Sequence, residues 1–158
     1  MKIYSFDWDD DDPIFDFKLL GLASNLIKDY DLAFYLNKYC QFSFKREADQ
    51  EILNGDVLYL FSVYRFFHSK TKQFVELISN YSYPQMLKGE KYSLFEETES
   101  IHILIPEFKR FNYFLKSSLG LNEDFYVNLA ELKNIQEYQD IDINTIKINN
   151  LENLILPT

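Results

Sequence analysis

Cysteine, glycine and histidine are scarce in this chain of 158 residues, and each shortage narrows the kinds of site it can hold. The single cysteine, Cys40, cannot form an internal disulfide or a thiolate metal cluster, which suits a reducing compartment. Four glycines leave little from which to build a phosphate-binding loop, and no GxSxG, HExxH, Walker-type or dinucleotide-binding pattern occurs. Any functional site must therefore be argued from other residues.

Positive charge is also in short supply. The chain has 16 lysines and arginines against 25 aspartates and glutamates, which gives a net charge of −9. A field of this sign repels the phosphate backbone of nucleic acids. Nucleic acid is therefore an unfavourable partner for this protein.

Long apolar runs are missing as well. The N-terminal sequence MKIYSFDWDDDD has no apolar stretch of signal-peptide length, and the longest runs elsewhere are far shorter than a membrane span. No repeat, low-complexity linker or Gly/Ser-rich hinge divides the chain. We therefore expect one domain over residues 1–158, in the cytoplasm and without a membrane partner.

What the chain does contain is a series of strand and helix patterns. The first part predicts short strands at residues 2–6 and 15–23, separated by the acidic loop DWDDDDP. Ser24 or Asn25 then caps a predicted helix whose apolar stripe should lie on a sheet. The residues of this stripe are Leu32, Ala33, Leu36, Tyr39 and Cys40.

Residues 56–83 predict an antiparallel hairpin, in which DVLYLFSVYRFF and QFVELISNYSY are joined by the polar HSKTK. The first strand is apolar on both faces, so it is central in the sheet or presents one face to a partner. Its aromatic side chains could stack RNA bases, but Arg65 is the one basic residue of the strand. We prefer core packing for these aromatic residues, which are Tyr59, Phe61, Tyr64 and Phe66.

The stretch IHILIPEFKRFNYFLK, residues 101–116, predicts a strand over 100–105 followed by a helix. Pro106 ends the strand because it lacks an N–H, and its fixed φ suits the first position of a helix. Glu107 would lie in the first turn, where the helix dipole favours a carboxylate by about 0.3 to 1 kcal/mol. Gly120 ends this predicted helix.

The rest of the chain predicts a helix over residues 122–137, a strand or turn over 141–148, and a last strand in NLILP. Together these patterns predict an α+β fold. Its mostly antiparallel sheet has about five to seven strands, and about three helices cover chiefly one side of it.

Residues 105–113, IPEFKRFNY, carry a resemblance to a known family. They are similar to the signature of the IPExxxVDY proteins, a small family of Bacteroidota with no established activity. Phe111 and Asn112 stand where the family name has Val and Asp. The segments KDYDLAFYLNKY and SLFEE also resemble that family. The resemblance implies a fold and a lineage but no mechanism. The matching residues are Ile105, Pro106, Glu107 and Tyr113.

The motif allows a structural or a catalytic interpretation. Asn112 cannot be a general base, because a carboxamide does not titrate near neutral pH. We expect it to bond a neighbouring backbone segment, since an unpaired buried amide costs about 1 to 3 kcal/mol. We favour a structural or interaction role for the motif and assign no catalytic residue. The motif residues are Ile105, Pro106, Glu107, Asn112 and Tyr113.

The acidic loop raises the question of a metal. Carboxylates suit calcium or magnesium, but the calcium-loop spacing fails, because the turn position lacks glycine and Lys18 stands where the bidentate glutamate belongs. A solvated loop is the expected role of such a run. We therefore expect no metal and no cofactor. The residues of the run are Asp7, Asp9, Asp10, Asp11 and Asp12.

Three functions follow from these patterns. The first is a noncatalytic cytoplasmic protein that binds another protein or itself, through the aromatic sheet face or the surface around the motif helix. The second is a small enzyme with a cleft formed by Glu107, His102 and Tyr113. The third is RNA binding through the aromatic sheet face.

Overall fold

A computed structural model describes residues 15–26, 28–88 and 97–156 of the chain. The predicted strand at residues 2–6 and the acidic loop lie outside the described residues. Ten strands are defined within those ranges. In chain order they are β1 Lys18–Ser24, β2 Lys45–Arg46, β3 Gln50–Asn54, β4 Val57–Phe61, β5 Val63–His68, β6 Gln73–Ser79, β7 Gln85–Lys88, β8 Glu97–Ser100, β9 Tyr113–Ser117 and β10 Ile135–Ile141.

The helices are short. Three are α-helices: α1 Asp29–Cys40, α2 Glu123–Ala130 and α3 Ile148–Leu151. Single 3₁₀ turns cover Pro106–Phe108, Ile143–Thr145 and Glu152–Leu154. Among the described residues, no helix is both long enough and apolar enough to cross a membrane.

Six strands form one antiparallel sheet in the order β10-β1-β9-β6-β5-β2. Two smaller antiparallel pairs, β3-β4 and β7-β8, stand apart from it. The predicted α+β class with a mostly antiparallel sheet is therefore confirmed.

The central strands bury side chains on both faces of the sheet. Along β9, Tyr113 and Leu115 point into one core and Phe114 into the other, as the alternation of a strand requires. We call the first side, which packs on α1 and α2, the helical face. The second side, which packs on β4, the segment around Pro106 and the C-terminal turns, is the motif face. The prediction that helices cover chiefly one side is confirmed, because α1 and α2 lie on the helical face, whereas the motif face is covered mainly by irregular segments and the short α3.

Helix α1 begins later than the sequence predicts. Ser24 still belongs to β1, and Lys28 stands at the N-cap without a side-chain cap bond. Ser24 instead accepts a hydrogen bond from the Leu26 N–H at 3.1 Å, a local turn that competes with capping. The predicted stripe does lie on the sheet, except for Tyr39, which is 45% exposed.

The predicted hairpin is present as β5 and β6, joined by the turn at residues 69–72. Its first strand is interrupted at Ser62, whose carbonyl accepts a hydrogen bond from Ser79 at 3.0 Å. Upstream of Ser62 the chain leaves the main sheet, and β4 pairs with β3 instead. One apolar run therefore supplies two strands that pack in different layers.

The helix predicted after Pro106 is wrong. Its first turn forms as the 3₁₀ turn Pro106–Phe108, and then the chain extends into β9. The segment FNYFLK satisfies both helical and alternating patterns, and the sheet decides between them because β1 and β6 pair with β9 on its two sides. The preceding strand predicted over 100–105 is reduced to β8 and a single bridge between Tyr81 and Ile103.

Three further boundaries differ from the prediction. The helix predicted to reach residue 137 ends at Ala130, and β10 follows as an edge strand. The last segment forms α3 and the turn Glu152–Leu154 in place of a strand. Residues 85–88 and 97–100, read as a polar connection, form the pair β7-β8.

Candidate functional site

The motif residues build a corner that leads into β9. Ile105 is fully buried in the motif face, and Pro106 begins the 3₁₀ turn as its first residue. Phe111 closes the next turn by donating its N–H to the Phe108 carbonyl at 3.0 Å, and its ring is also fully buried. The corner is thus anchored by an apolar side chain on each side of an exposed turn.

Asn80 holds this corner from the inside. Its side chain is fully buried, and its Oδ1 accepts a hydrogen bond from the Ile105 N–H at 2.7 Å. Its Nδ2 donates to the carbonyls of Phe111 at 2.8 Å and Phe108 at 3.2 Å. Its own N–H donates to the Asn112 carbonyl at 2.9 Å. One buried amide therefore satisfies backbone groups on both sides of the turn, as buried polar groups require.

Sequence reasoning did not single out Asn80. Asn80 is the last residue of the segment QFVELISN, and its position indicates the polar end of a hairpin strand. A signal was available in the alternation of β6, because Asn80 continues the series of Glu76 and Ile78 toward the motif face. A neutral amide at such a position predicts a buried hydrogen-bonding role.

Glu107 reaches from the corner to the C-terminal turns. Its Oε2 accepts a hydrogen bond from the Lys147 N–H at 2.7 Å, and its Oε1 accepts one from Asn150 Nδ2 at 2.8 Å. Partial burial opposes ionisation, but these hydrogen bonds outweigh it and hold the pKa of Glu107 below its ordinary value. Glu107 thus links the corner to the start of α3.

Asn112 bonds the backbone of β1, as expected of it, although from a different structural setting. Its Nδ2 donates to the Ser24 carbonyl at 2.9 Å, and its Oδ1 accepts from the Ser24 N–H at 2.8 Å. Tyr113, the next residue, is only 5% exposed and packs on the helical face. Burial and the negative charge of Asp29 raise the pKa of Tyr113, so its hydroxyl stays protonated.

The three residues of the enzyme hypothesis occupy separate environments. The His102 ring stacks on Tyr59 with centroids 5.1 Å apart, whereas Glu107 bonds the start of α3. Tyr113 lines a cavity whose described lining includes neither of the other two. The structure does not bring these residues together into one cleft.

Cys40 and the hairpin aromatics lie in the core. Burial raises the pKa of the Cys40 thiol to about 11, which leaves it protonated and unreactive at neutral pH. Tyr59 and Phe61 are buried in the motif face, and Tyr64 is buried in the helical face, where Phe66 packs against it as a partly buried residue. The preferred core-packing interpretation of these aromatic residues is confirmed.

A cavity of about 560 Å³ lies beside the motif corner. It is bordered by the end of β1, the start of α1 and the segments at residues 79–84 and 110–113. Its volume falls within the range of small-molecule sites. The charged and aromatic residues of its lining, with Asn112, are Asp29, Tyr81, Tyr83, Arg110 and Tyr113.

Asp29 is the centre of a hydrogen-bond network at this cavity. Its Oδ2 accepts hydrogen bonds from the hydroxyls of Tyr64 at 3.1 Å and Tyr83 at 3.2 Å. Tyr83 in turn accepts a hydrogen bond from Arg46 at 3.2 Å, and Arg46 is paired with Asp49. Burial, together with the charge of Asp29, raises the pKa of both phenols. They therefore remain neutral donors.

A second polar network lies on the motif face of the sheet. Glu76 is 7% exposed, and its Oε2 accepts hydrogen bonds from Arg65 at 2.6 and 2.8 Å. Lys116 lies 3.4 Å from Oε1 and donates to the Leu154 carbonyl at 2.8 Å. These groups line a cavity of about 440 Å³ together with Phe15, Phe17 and Phe74. The buried carboxylate is paired with two cations, so this network is internally satisfied.

The outer face of α1 is unusually aromatic. Tyr30 and Phe34 are 54% and 56% exposed, and Tyr39 is 45% exposed. Tyr35 lies between them, stacked on Tyr39 with centroids 6.1 Å apart. Lys38 lies over the rings of Phe34 and Tyr39 at 5.9 and 5.3 Å. We call these four aromatic residues the α1 aromatic face.

Within the described ranges, no group of three or more histidine, cysteine, aspartate or glutamate residues could hold a metal ion. The acidic run that raised the metal question lies outside the described residues. The expectation of no metal at that run therefore stays a prediction.

The chain matches no protein-family model, no curated protein and no solved structure. Its likeness to the IPExxxVDY proteins therefore stays a prediction that rests on the motif itself and on two further similar segments.

Proposed function

We propose that this protein is a noncatalytic protein-binding domain of the cytoplasm, and that it binds its partner through the α1 aromatic face. The observation that carries the proposal is the exposure of three aromatic side chains, Tyr30, Phe34 and Tyr39, along one helix. Exposed aromatic residues in a contiguous group are typical of interaction sites, where Tyr and Phe are enriched.

The inner side of α1 makes this face rigid. Leu32 and Leu36 are fully buried against the sheet and α2, so the helix has no freedom to turn its aromatic residues inward. A face that is fixed before binding loses little conformational entropy when a partner docks. Tyrosine and phenylalanine add to this advantage because each has two side-chain torsions.

The chemistry of the face defines the kind of partner. The rings offer apolar area, while Lys38 and Asp31 place one charge of each sign beside it. Such a surface fits an apolar groove or a second helix with a polar rim. A second copy of this chain meets that description as well as another protein does.

The surface differs from those expected from the sequence. The aromatic residues of the hairpin are core residues, and no helix follows Pro106 to carry a motif surface. The separation of Glu107, His102 and Tyr113 supports the noncatalytic form of the proposal.

We also propose membership of the IPExxxVDY family of Bacteroidota. The support is the match of Ile105, Pro106, Glu107 and Tyr113, each of which has a defined place in the corner or on β9. The cytoplasmic location is supported by the single buried thiol of Cys40.

Affinity purification from the native cytoplasm tests the proposal. The bait is the full chain, and the test variant carries Phe34→Ser and Tyr39→Ser. We expect the wild-type protein to recover a specific partner. The variant should recover at least about tenfold less of that partner, because central aromatic residues dominate interface energies. Light scattering of the purified protein tests self-association in the same way.

The matched control carries Phe67→Ser and Phe74→Ser. These two side chains are 44% and 46% exposed, which is similar to the exposed fraction of Tyr39, but they lie on the β5-β6 hairpin. The control should keep the partner. Retention of the partner by the α1 variant would overturn the proposed surface, and a strictly monomeric wild type that recovers no protein would overturn protein binding altogether.

A further inference from the structure

The cavity beside the motif corner has the chemistry of a cation site. We propose that it binds a small organic primary amine that also carries a hydroxyl group; its ammonium group pairs with Asp29 among tyrosine rings, and its hydroxyl oxygen accepts a hydrogen bond from Tyr113. The proposal does not depend on the function proposed for the α1 aromatic face.

The charge facing the cavity is that of Asp29. Arg110 also lines the cavity, but its guanidinium is bonded to Gln139, lies 3.7 Å from Glu137 and stacks 4.5 Å from the Phe111 ring centroid. Arg46, behind Tyr83, is paired with Asp49. With both cations compensated, the carboxylate of Asp29 sets the sign of the field inside the cavity.

Asp29 has unused capacity to accept hydrogen bonds. Both of its described side-chain partners, Tyr64 and Tyr83, bond Oδ2. Among the described residues, Oδ1 accepts no side-chain hydrogen bond, although an ionised carboxylate accepts on both oxygens. An ammonium group supplies three donors and a positive charge for this oxygen.

Tyrosine rings line the same space. Tyr81, Tyr83 and Tyr113 border the cavity, and an aromatic face attracts an ammonium group within about 6 Å of its centroid. The Tyr83 and Tyr113 phenols are neutral at pH 7, because burial and the charge of Asp29 raise their pKa values. A carboxylate surrounded by neutral aromatic rings favours an organic cation over an anion.

The Tyr113 hydroxyl supplies the second, independent observation. Its side chain is 95% buried, as the exposed fraction of 5% shows, yet the hydroxyl has no hydrogen-bond partner in the described ranges. A buried hydroxyl without a partner costs about 1 to 3 kcal/mol. By contrast, three of the four serine hydroxyls of the lining bond backbone groups, since Ser24 accepts from Leu26, Ser79 donates to Tyr81 and Ser82 accepts from His102. A hydroxyl oxygen on the same ligand would satisfy Tyr113.

Titration with 6-amino-1-hexanol, followed by protein NMR shifts, tests the assignment. The neutral comparison compound is 1,6-hexanediol, which has the same length and a hydroxyl at the other end. We expect the amino alcohol to shift resonances of the cavity with a millimolar dissociation constant and the diol to bind at least fivefold more weakly. Hexanoate, an anion of similar size, should not bind.

Two variants assign the contacts. Asp29→Asn should weaken binding of the amino alcohol at least tenfold, and Tyr113→Phe should weaken it two- to fivefold. Because the Tyr113 hydroxyl is unpaired, Tyr113→Phe should not lower the thermal midpoint and should raise it if the unpaired hydroxyl is costly, which keeps the test valid even if Asp29→Asn fails to fold. The control, Asp140→Asn, removes another carboxylate that accepts a tyrosine hydrogen bond, from Tyr126 at 3.0 Å, and should leave amine binding unchanged.

The proposal is overturned if the diol binds as tightly as the amino alcohol, if no amine binding is seen up to about 50 mM, or if Tyr113→Phe binds like wild type. Binding of hexanoate in place of the amine would assign the cavity to an anion through Arg110 and would equally reject the proposal.

Discussion

Asn112 and Ser24 are joined by a reciprocal pair of hydrogen bonds, although they lie 88 residues apart in sequence. The amide nitrogen of Asn112 donates to the Ser24 carbonyl at 2.9 Å, and the Ser24 N–H donates to the amide oxygen at 2.8 Å. The ladder between β9 and β1 has its last backbone pair at Tyr113 and Leu22. Asn112 therefore extends the pairing of the two strands with a side chain in place of a backbone.

Replacing Asn112 with leucine should destabilise the fold by about 1 to 3 kcal/mol. The leucine side chain has a similar volume, but it leaves the N–H and carbonyl of Ser24 unpaired. Urea denaturation measures the loss in the free energy of unfolding. The dependence of that free energy on urea concentration should be the same as in the wild type. A stability within a few tenths of a kcal/mol of wild type would contradict the role given to this residue.

Asn112→Asp should depend on pH. One carboxylate oxygen would face the Ser24 carbonyl, so the folded-state pKa should exceed the ordinary aspartate value of about 3.9. The variant should therefore be close to wild type below pH 4 and lose stability as the pH rises through the raised pKa. Urea melts at pH 3.5, 5 and 7 test this, and a variant that gains stability toward neutral pH would show the opposite sign.

Gly21 and Phe111 form a close contact across the motif face. A Cβ atom at Gly21 would lie 2.5 Å from Cδ2 of Phe111, so Gly21→Ala should cost about 1 to 3 kcal/mol. Phe111→Val, which removes most of the ring, should also be destabilising, but Gly21→Ala should cost less in that background. A double-mutant cycle measures the coupling, and additive effects within about 0.5 kcal/mol would show that the contact is not strained.

Removing the Asn80 side chain should be among the most damaging polar substitutions in this protein. Asn80→Ala leaves the Ile105 N–H and the Phe111 carbonyl without their partner in a fully buried site, which should cost about 3 kcal/mol or more. Asn37→Ala is the comparison, because that amide also bonds backbone on both of its atoms, at Phe44, but lies at a half-buried position of α1. Equal losses for the two variants would contradict a special role for Asn80.

Glu107→Gln should remove a stabilisation that exists only while the carboxylate is ionised. Because the folded-state pKa of Glu107 is lowered, its contribution is present above the ordinary value of about 4.3 and is lost as the pH falls through the folded pKa. Since the group is largely exposed, we expect a deficit of no more than about 1 kcal/mol at pH 7 that vanishes near pH 3. Glu51→Gln, at an exposed position of β3, serves as the control.

Cys40 should resist thiol reagents in the native state. Burial raises its pKa to about 11, so both access and thiolate concentration are low at pH 7. We expect reaction with a disulfide reagent to be at least about 100-fold slower in buffer than in 8 M urea. Rapid native labelling would show that α1 leaves the sheet far more readily than its packing indicates.

The sequence predicts those elements whose pattern has one solution. The stripe of α1 is amphipathic at a helical period, and the β5-β6 hairpin has a polar turn between two apolar strands, so the sequence predicts both elements. The segment after Pro106 fits a helix and a strand equally well. The segment becomes a strand because β1 and β6, which are distant in sequence, pair with it on its two sides. Tertiary pairing overrides local preference there.

The corner itself shows the same division. Pro106 and the hydrogen bonds of Asn112 follow from single-residue chemistry, and both could be anticipated. The role of Asn80 and the contact of Phe111 with Gly21 depend on two segments meeting in space, which no local pattern encodes. The cavity around Asp29 is likewise lined by six separate stretches of the chain.

The strand order also determines how the chain is made. In the described sheet, β1 is hydrogen-bonded to β9 and β10. It pairs with none of the strands that lie between β1 and β9 in sequence. At a synthesis rate of about 5 to 20 residues per second, the 88 residues between Ser24 and Asn112 take roughly 4 to 18 s to emerge. The sequence of β1, KLLGLAS, is buried on both faces in the folded protein. During that time neither of the strands with which β1 pairs has been synthesised. The nascent chain therefore exposes an unpaired apolar strand, which is the kind of segment that chaperones bind. This exposure ends only when β9, which follows the corner at Pro106, has been synthesised.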